Sequence, residues 1–265
     1  MPFLARQTSI EINYSVDGKI TDDNQQTFLL FNGASLTTEF WGSLATRLAE
    51  SGQVIRFDQR NAGKTRYQGS FTLNDVAADA AALLDLLEVE KAVIVGHAWG
   101  GRAAQVFVRD YPHRVSAMVI CATGGQFPPV DTTTLDDAIR EARKSDNRAA
   151  WEKAFEARWC GQGFAEREPA RFAEIAALNW QARPNREARW DPTVSPSPSY
   201  WGRAILPSLL IYGEEDKNGT PKNGRDLHER IAGSELLLLP NAGHFLIREK
   251  EDEVLAAITR FTAGI

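Results

Sequence analysis

The apolar and polar positions along the chain change period several times. Residues 9–17 alternate and run into Asp17-Gly18, a pair that favours a tight hairpin turn. Compact apolar runs follow at "TFLLFN" (27–32), "VIRFD" (54–58), "AVIVG" (92–96), "VSAMVICA" (115–122), "SLLIYG" (208–213) and "ELLLLP" (235–240). Each is short enough to be a buried strand. Between them, Leu73, Val76, Ala77, Ala80, Leu83, Leu84 and Leu87 recur at helical spacing. "GGRAAQVFVRDYP" predicts a helix that stops before Pro112, and "EDEVLAAITRFTAG" predicts an amphipathic helix at the end. Short apolar strands alternating with helices predict an α/β fold, with a mainly parallel sheet covered on both faces.

The alternation stops between about Gln126 and Arg203. That stretch holds the helical patterns "LDDAIREARKSD" and "NRAAWEKAFEARW" and five of the seven tryptophans. It predicts a helical cap at 126–203 inserted into a core made of 1–125 and 204–265. "PTVSPSPSYW" (192–201) is its Pro/Ser-rich connector. Ligands of such sheets sit beyond the carboxyl ends of the strands. A cap inserted there would roof the site and exclude water.

Composition narrows the function classes. At 265 residues, 43% hydrophobic and 25% charged, the chain can bury a large core. Its net charge of -5, with no basic block, argues against nucleic acid as a partner. No run approaches the ~18 apolar residues of a membrane span. The start "MPFLARQTSIEIN" lacks the apolar core of a secretory signal. Cys121 and Cys160 lie far apart without a CxxC, which predicts two free thiols rather than a disulfide framework or zinc site. Free thiols suit a reducing cytosol, so a cytoplasmic location is expected. The expected partner is a small-molecule substrate, with no nucleic acid, membrane, metal or cofactor; a homodimer stays open.

The candidate chemistry centres on "VGHAWGG" (95–101). Gly96, Gly100 and Gly101 frame a strand-to-helix turn of the kind that lifts a reactive side chain off a sheet, a nucleophile elbow. The tip is Ala98, which has no nucleophile. There are four histidines. His244 lies in a Gly-His turn between the last strand and the last helix, where a base could reach the elbow. His113 is expected to be solvated or capping, His228 to lie on a solvated helix face, and His97 to support the elbow rather than act as base. Asp216 follows the strand "SLLIYG" in a polar loop and is preferred as the acid over Glu214 and Glu215, with Asp131 as the fallback. The chain order of nucleophile position, acid and histidine suits this assignment. In "FNGASL", Gly33 lets the backbone approach a ligand, and the N–H of Ala34 could face a developing oxyanion. The N–H of Trp99, at a helix start, would be the second donor.

On "FNGAS", "IRFDQRNAGKT", "VGHAWGG", "YGEEDKNGTP" and "NAGHF", the chain resembles the α/β-hydrolase superfamily over nearly its full length. The run from Asp58 to Thr65 looks like that family's D-x-R-x-x-G-x-S turn. Closer still, the chain is similar to the enol-lactonase and polyketide methylesterase branches, which use a serine elbow and a small helical cap. The resemblance implies a triad of nucleophile, acid and histidine, matched at Asp216 and His244 but not at Ala98. The family's His-Gly before the oxyanion hole is Asn32-Gly33 here. The H-G-x-P signature of epoxide hydrolases and dehalogenases is absent, which favours serine over aspartate as the residue that Ala98 replaces.

Ala98 then has three readings. The first is an ester or lactone hydrolase in which alanine replaces the serine, an inactivating change. The second is a non-hydrolytic member using His244 as general base, such as a cofactor-free oxygenase, lyase or cyclase. The third is a ligand-binding pseudoenzyme. Trp151, Trp159, Trp180, Trp190 and Trp201 in the cap suggest a bulky, partly flat, apolar ligand, although most of them are expected to pack the cap onto the core.

Overall fold

A computed structural model describes residues 3–6, 10–22, 25–60, 62–125, 127–182, 188–191 and 206–265. The connector at 192–201, Trp201, Asn61 of the Asp58–Thr65 turn, and Gln126 and Arg203 at the expected cap edges lie outside the described residues, as does the side chain of Trp190.

Eight strands form one sheet: β1 (Phe3–Arg6), β2 (Ile10–Gly18), β3 (Gln26–Phe31), β4 (Gly52–Phe57), β6 (Ala92–His97), β7 (Val115–Cys121), β9 (Ser208–Gly213) and β10 (Glu235–Leu239). Their order is β1-β2-β4-β3-β6-β7-β9-β10. The pairs β1/β2 and β2/β4 are antiparallel, and the rest are parallel. Every apolar run read as a strand is one. The hairpin expected at Asp17-Gly18 is not: β2 pairs with β1 and β4, and β4 separates it from β3. Gly18 is needed for a different reason. It sits at φ 69°, and a Cβ there would lie 2.2 Å from the carbonyl oxygen of Gly52.

Side chains alternate across the sheet with period two. Phe28, Leu30, Val93 and Val95 enter one apolar cluster, covered by α1 (Gly42–Leu48) and α10 (Glu251–Thr262). Leu29, Phe31 and Ile94 enter the other, covered by α2 (Leu73–Leu86), α3 (Trp99–Asp110) and α8 (Pro221–Arg230). The start of α2 is set by a capping box, in which Thr72 and Asp75 satisfy each other's backbone N–H. No helix among the described residues is long and apolar enough to cross a membrane.

Between β7 and β9 come α4 (Thr133–Lys144), α5 (Arg148–Trp159), α6 (Phe164–Arg167) and α7 (Pro169–Gln181). Their Trp151, Phe155, Phe172 and Ile175 join the same cluster as Leu30 and Val95, so the inserted helices pack onto the sheet's core. The stretch read as purely helical also contains a strand, β8 (Ala188–Trp190), paired in parallel with β5 (Gly69–Phe71). At three residues, β8 is too short to display a period.

Candidate functional site

β3 and β6 are neighbours, with Phe31 opposite Gly96. The loops leaving them emerge side by side, carrying Asn32-Gly33-Ala34 and Ala98. This is where the strand order reverses, the usual ligand crevice of an open α/β sheet. Ala98 is held at φ 52°, ψ −118°. An L-residue there costs about 1–3 kcal/mol, so the surrounding contacts must enforce the conformation. The Ala98 N–H donates to the Cys121 carbonyl at 2.9 Å, and the Gly101 N–H donates to the Ala98 carbonyl at 3.1 Å. The glycines are required by packing. A Cβ on Gly96 would lie 2.6 Å from Gly101 Cα, one on Gly100 2.2 Å from the Asn32 carbonyl, and one on Gly101 1.9 Å from Thr123 Oγ1.

The opposite loop is anchored from below. Asn32, where the resembling family has histidine, donates from Nδ2 to the Phe57 carbonyl at 2.8 Å and accepts from Trp41 Nε1 at 2.5 Å. Asp58 accepts from the Thr38 N–H at 2.8 Å, the Lys64 N–H at 2.9 Å and Asn13 Nδ2 at 2.7 Å. Arg60 is paired with Asp79 at 2.7 Å. The Asp58–Thr65 turn is thus a buried hub that braces the chain just past Gly33 and Ala34.

Asp216 and His244 come from the loops after β9 and β10. Asp216 Oδ2 lies 2.9 Å from His244 Nδ1, and both side chains are buried. The other Asp216 oxygen accepts from the Asn218 N–H at 2.7 Å and the Gly219 N–H at 3.0 Å. The neighbouring acids are engaged elsewhere: Glu214 is exposed, and Glu215 accepts from the Gln162 N–H at 2.6 Å. Asp131 accepts from Thr133 at the start of α4. His113 is exposed; His228 is also exposed and bonds Ser234 Oγ through Nδ1 at 2.8 Å.

His97 lies beneath the His244 loop. Its Nε2 is 2.8 Å from the His244 carbonyl oxygen, so that nitrogen carries the proton and donates. Burial, with the neighbouring His244 adding to it, pushes the His97 pKa from 6.5 down to about 3. The ring is therefore a neutral support for the loop. A Cβ on Gly33 would lie 2.8 Å from its Nδ1.

Two cavities meet at Ala98, and Ala34, Trp99 and Asn218 line both of them. The inner cavity, about 240 Å³, is walled by Trp151, Phe155, Trp159 and Phe245 with His244. The outer cavity, about 460 Å³, is lined in addition by Arg102, Gly124 and Phe127. Of the tryptophans in the expected cap, Trp151 and Trp159 reach the inner cavity, while Trp180 packs edge-on against Trp151 with ring centroids 5.2 Å apart. Among the described residues, no cluster of three His, Cys, Asp or Glu could hold a metal ion.

Three residues of this region escape the sequence reading. Asn218 has its Nδ2 3.4 Å from His244 Nε2. Its place two residues after the acid is the only available signal. Arg102 is hidden by the helical period of α3. Glu249, in the short helix α9 (Leu246–Glu249), reads as a solvated charge in "REKEDE" yet is buried. It accepts from the Gly161 N–H at 2.7 Å and the Gly243 N–H at 3.1 Å. The His244 N–H donates to the Trp159 carbonyl at 2.7 Å. Glu249 and His244 together therefore seat the end of α5 on the histidine loop.

Burial pushes Glu249 from 4.5 up to about 7. A carboxyl raised on folding binds its proton more tightly in the native state, so stability grows as pH falls from about 7 to 4.5. His97 acts oppositely. The unfolded chain takes up that proton first, so stability is lost as pH falls from 6.5 towards 3. Where the windows overlap the slopes oppose, each about 1.4 kcal/mol per pH unit. Urea unfolding of the parent and Glu249→Gln across this range should give a difference curve favouring the parent increasingly as pH falls. A flat difference curve would remove Glu249 as a titrating group.

The alpha/beta hydrolase family model matches residues 28–257. A protein provisionally named non-heme bromoperoxidase BpoC, from Mycobacterium tuberculosis, is 26% identical over 96% of this chain and 99% of its own length. The rhodomycin D methylesterase DauP of Streptomyces sp. strain C5 is 25% identical over 92% of this chain and 93% of its own. The crystal structure of the enol-lactonase from Burkholderia xenovorans superposes with a TM-score of 0.74 at 22% identity, covering 98% of this chain and 99% of that one. With the sheet order, the elbow and a family model that spans all but the ends, the chain belongs to the alpha/beta hydrolase family.

Proposed function

We propose that this is an acyl-hydrolase site for a small-molecule ester or lactone in which alanine occupies the nucleophile's position. The observation that carries this reading is the His244–Asp216 pair, 2.9 Å apart, on the cavity that Ala98 also lines. The methylesterase and enol-lactonase relatives support the bond type. With serine at 98, His244 Nε2 would take the hydroxyl proton as Oγ attacks the carbonyl carbon. The N–H groups of Ala34 and Trp99 would stabilise the oxyanion. His244 would then protonate the departing oxygen, and water would release the acyl group. Asp216 would hold Nδ1–H and stabilise the imidazolium. The helices between β7 and β9 would act as a cap, since Trp151, Phe155 and Trp159 form part of the inner cavity's wall. With alanine at 98, the covalent route is closed, while binding and carbonyl polarisation remain.

The test is to install serine and follow hydrolysis of aryl ester and lactone series by both forms. Equal rates in the two, together with failure of Ala98→Asp on epoxides and alkyl halides, would reject a hydrolytic ancestry for the site. One observation favours a second reading: the His244–Asp216 pair is intact where position 98 offers no nucleophile. His244 would then act directly as a general base. Turnover by the Ala98 form that His244→Ala abolishes would establish it.

A further inference from the structure

Ala34, Ala98, Trp99 and Asn218 stand where the two cavities meet, so a ligand that spans both passes all of them. Asn218 brings a side-chain amide to that junction, and its backbone fixes where the amide sits. The Asn218 N–H donates to Asp216 Oδ1 at 2.7 Å, beside the Gly219 N–H at 3.0 Å. The same carboxylate faces His244 Nδ1 through Oδ2 at 2.9 Å. Asn218 and His244 are therefore both tied to Asp216.

The hydrogen-bond roles follow from that carboxylate. An ionised Asp216 only accepts, so in the neutral imidazole the proton lies on Nδ1 and Nε2 carries the lone pair. Asn218 turns its Nδ2 to this lone pair from 3.4 Å. At such a length the contact holds the amide weakly, and its N–H remains available to a ligand atom. The imidazole itself is held: the rings of His97 and Trp159 pack against it, each with centroids 5.2 Å from its own.

An acceptor beside a donor suits a molecule that can give one hydrogen bond and take another. Water does both, donating to Nε2 and accepting from Nδ2–H. It needs about 30 Å³. The inner cavity, which Ala98, Asn218 and His244 all line, offers about 240 Å³. The last torsion of asparagine is broad, so a small rotation of the amide opens the angle at the water towards its preferred value. With alanine at 98, the base has no side-chain hydroxyl to deprotonate, and water is the proton donor that can take that place.

We propose that Asn218 and His244 together hold the attacking water, and that the chain as it stands hydrolyses its ester in one step through it. This rests on the acyl-hydrolase reading for the bond that is cleaved, and adds the nucleophile and a catalytic residue. The water oxygen attacks the carbonyl carbon while one of its protons passes to Nε2, and the carbonyl π pair moves onto the oxygen that faces the Ala34 and Trp99 N–H groups. Asn218 Nδ2–H occupies one lone pair of the water and leaves the other for the carbonyl carbon. The C–O bond to the alcohol then breaks, and the departing oxygen takes the proton from Nε2. The products are an acid and an alcohol, the imidazole is neutral again, and no bond to the protein has formed.

The experiment follows 4-nitrophenol release from 4-nitrophenyl butanoate by the chain as it stands, with enzyme in excess and with substrate in excess. Release should show no burst, and mass spectrometry of the quenched mixture should show no acyl adduct. His244→Ala should lower the rate by about 10^2 or more, the contribution of a general base. Asn218→Leu should lower it about tenfold, as expected for one hydrogen bond to the reacting group. This variant keeps the backbone bonds to Asp216, and Asn218→Ala should give the same loss without leucine's bulk. In the Ala98→Ser background, water enters only at the second step. There Asn218→Leu should slow deacylation about tenfold and leave acylation unchanged, so that a burst appears or grows. Equal slowing of both steps would make Asn218 a prop for His244 and overturn the inference. An acyl adduct on His244 in the Ala98 chain would overturn it by making the imidazole the nucleophile. If the Ala98 chain shows no hydrolysis that depends on His244 while the serine form is active, the inference fails and the ester site stands. Inactivity of both forms would remove the acyl-hydrolase reading, and this inference with it.

Discussion

Ala98→Ser should turn a chain with no covalent route into an esterase or lactonase, with a gain of up to about 10^6 in turnover, the size of the loss when a triad nucleophile is removed. A gain this large is expected because little else has to change. The backbone at 98 already holds φ 52°, ψ −118°, set by the Cys121 and Gly101 hydrogen bonds and by three glycines that leave no room for a Cβ. Serine adds one oxygen at a position that lines both cavities and shares the inner one with His244. No repacking of the core is required, so the thermal midpoint should move little. Steady-state hydrolysis of aryl esters by the two forms, with His244→Ala in the serine background as control, measures the effect. A serine form no faster than the alanine form would show that the oxyanion donors or the base are out of reach.

In the serine background, Asp216→Asn should lower turnover by up to about 10^4, the loss that follows when a triad carboxylate becomes an amide. Asp216 is fully engaged. One oxygen faces His244 Nδ1 at 2.9 Å, and the other is held by the Asn218 and Gly219 N–H groups. An amide in its place offers His244 either a donor, which imposes the wrong tautomer, or a neutral acceptor without the charge that stabilises the imidazolium. Ligand affinity of the Ala98 form should be nearly unchanged, because Asp216 lies behind the histidine and lines neither cavity. Glu214→Gln and Glu215→Gln should be mild. A severe effect from either control would move the acid by one or two residues. A loss of binding as large as the loss of rate would make Asp216 a ligand contact.

The fold was legible wherever its cause is local. Apolar runs of five to eight residues read as buried strands because both faces of a central parallel strand are covered. The glycine pattern at 96, 100 and 101 read as an elbow because close packing at that turn excludes a Cβ. Asp17-Gly18 misled because two different needs select the same residue. A hairpin turn and a close backbone approach both require glycine, and only the position of Gly52 shows which one operates. Asp216 and His244 could be placed after their strands from order alone, but their 2.9 Å contact depends on β9 and β10 being paired neighbours.

By itself, the sequence determined the alternation of strands and helices, the elbow with no nucleophile at its tip, and which loops could bring an acid and a base to it. All of these follow from period, side-chain volume and chain order. Only the tertiary structure decided that Glu249 is a buried carboxyl joining the inserted helices to the histidine loop, that His97, expected to support the elbow, braces the His244 loop as a neutral ring, and that Arg102 and His244 face different cavities. Those properties depend on what surrounds each side chain: burial sets the charge of His97 and Glu249, and segments as far apart as the 147 residues between His97 and His244 build the walls. A charge in a polar stretch looks solvated in one dimension, and its environment exists only once distant segments have packed around it.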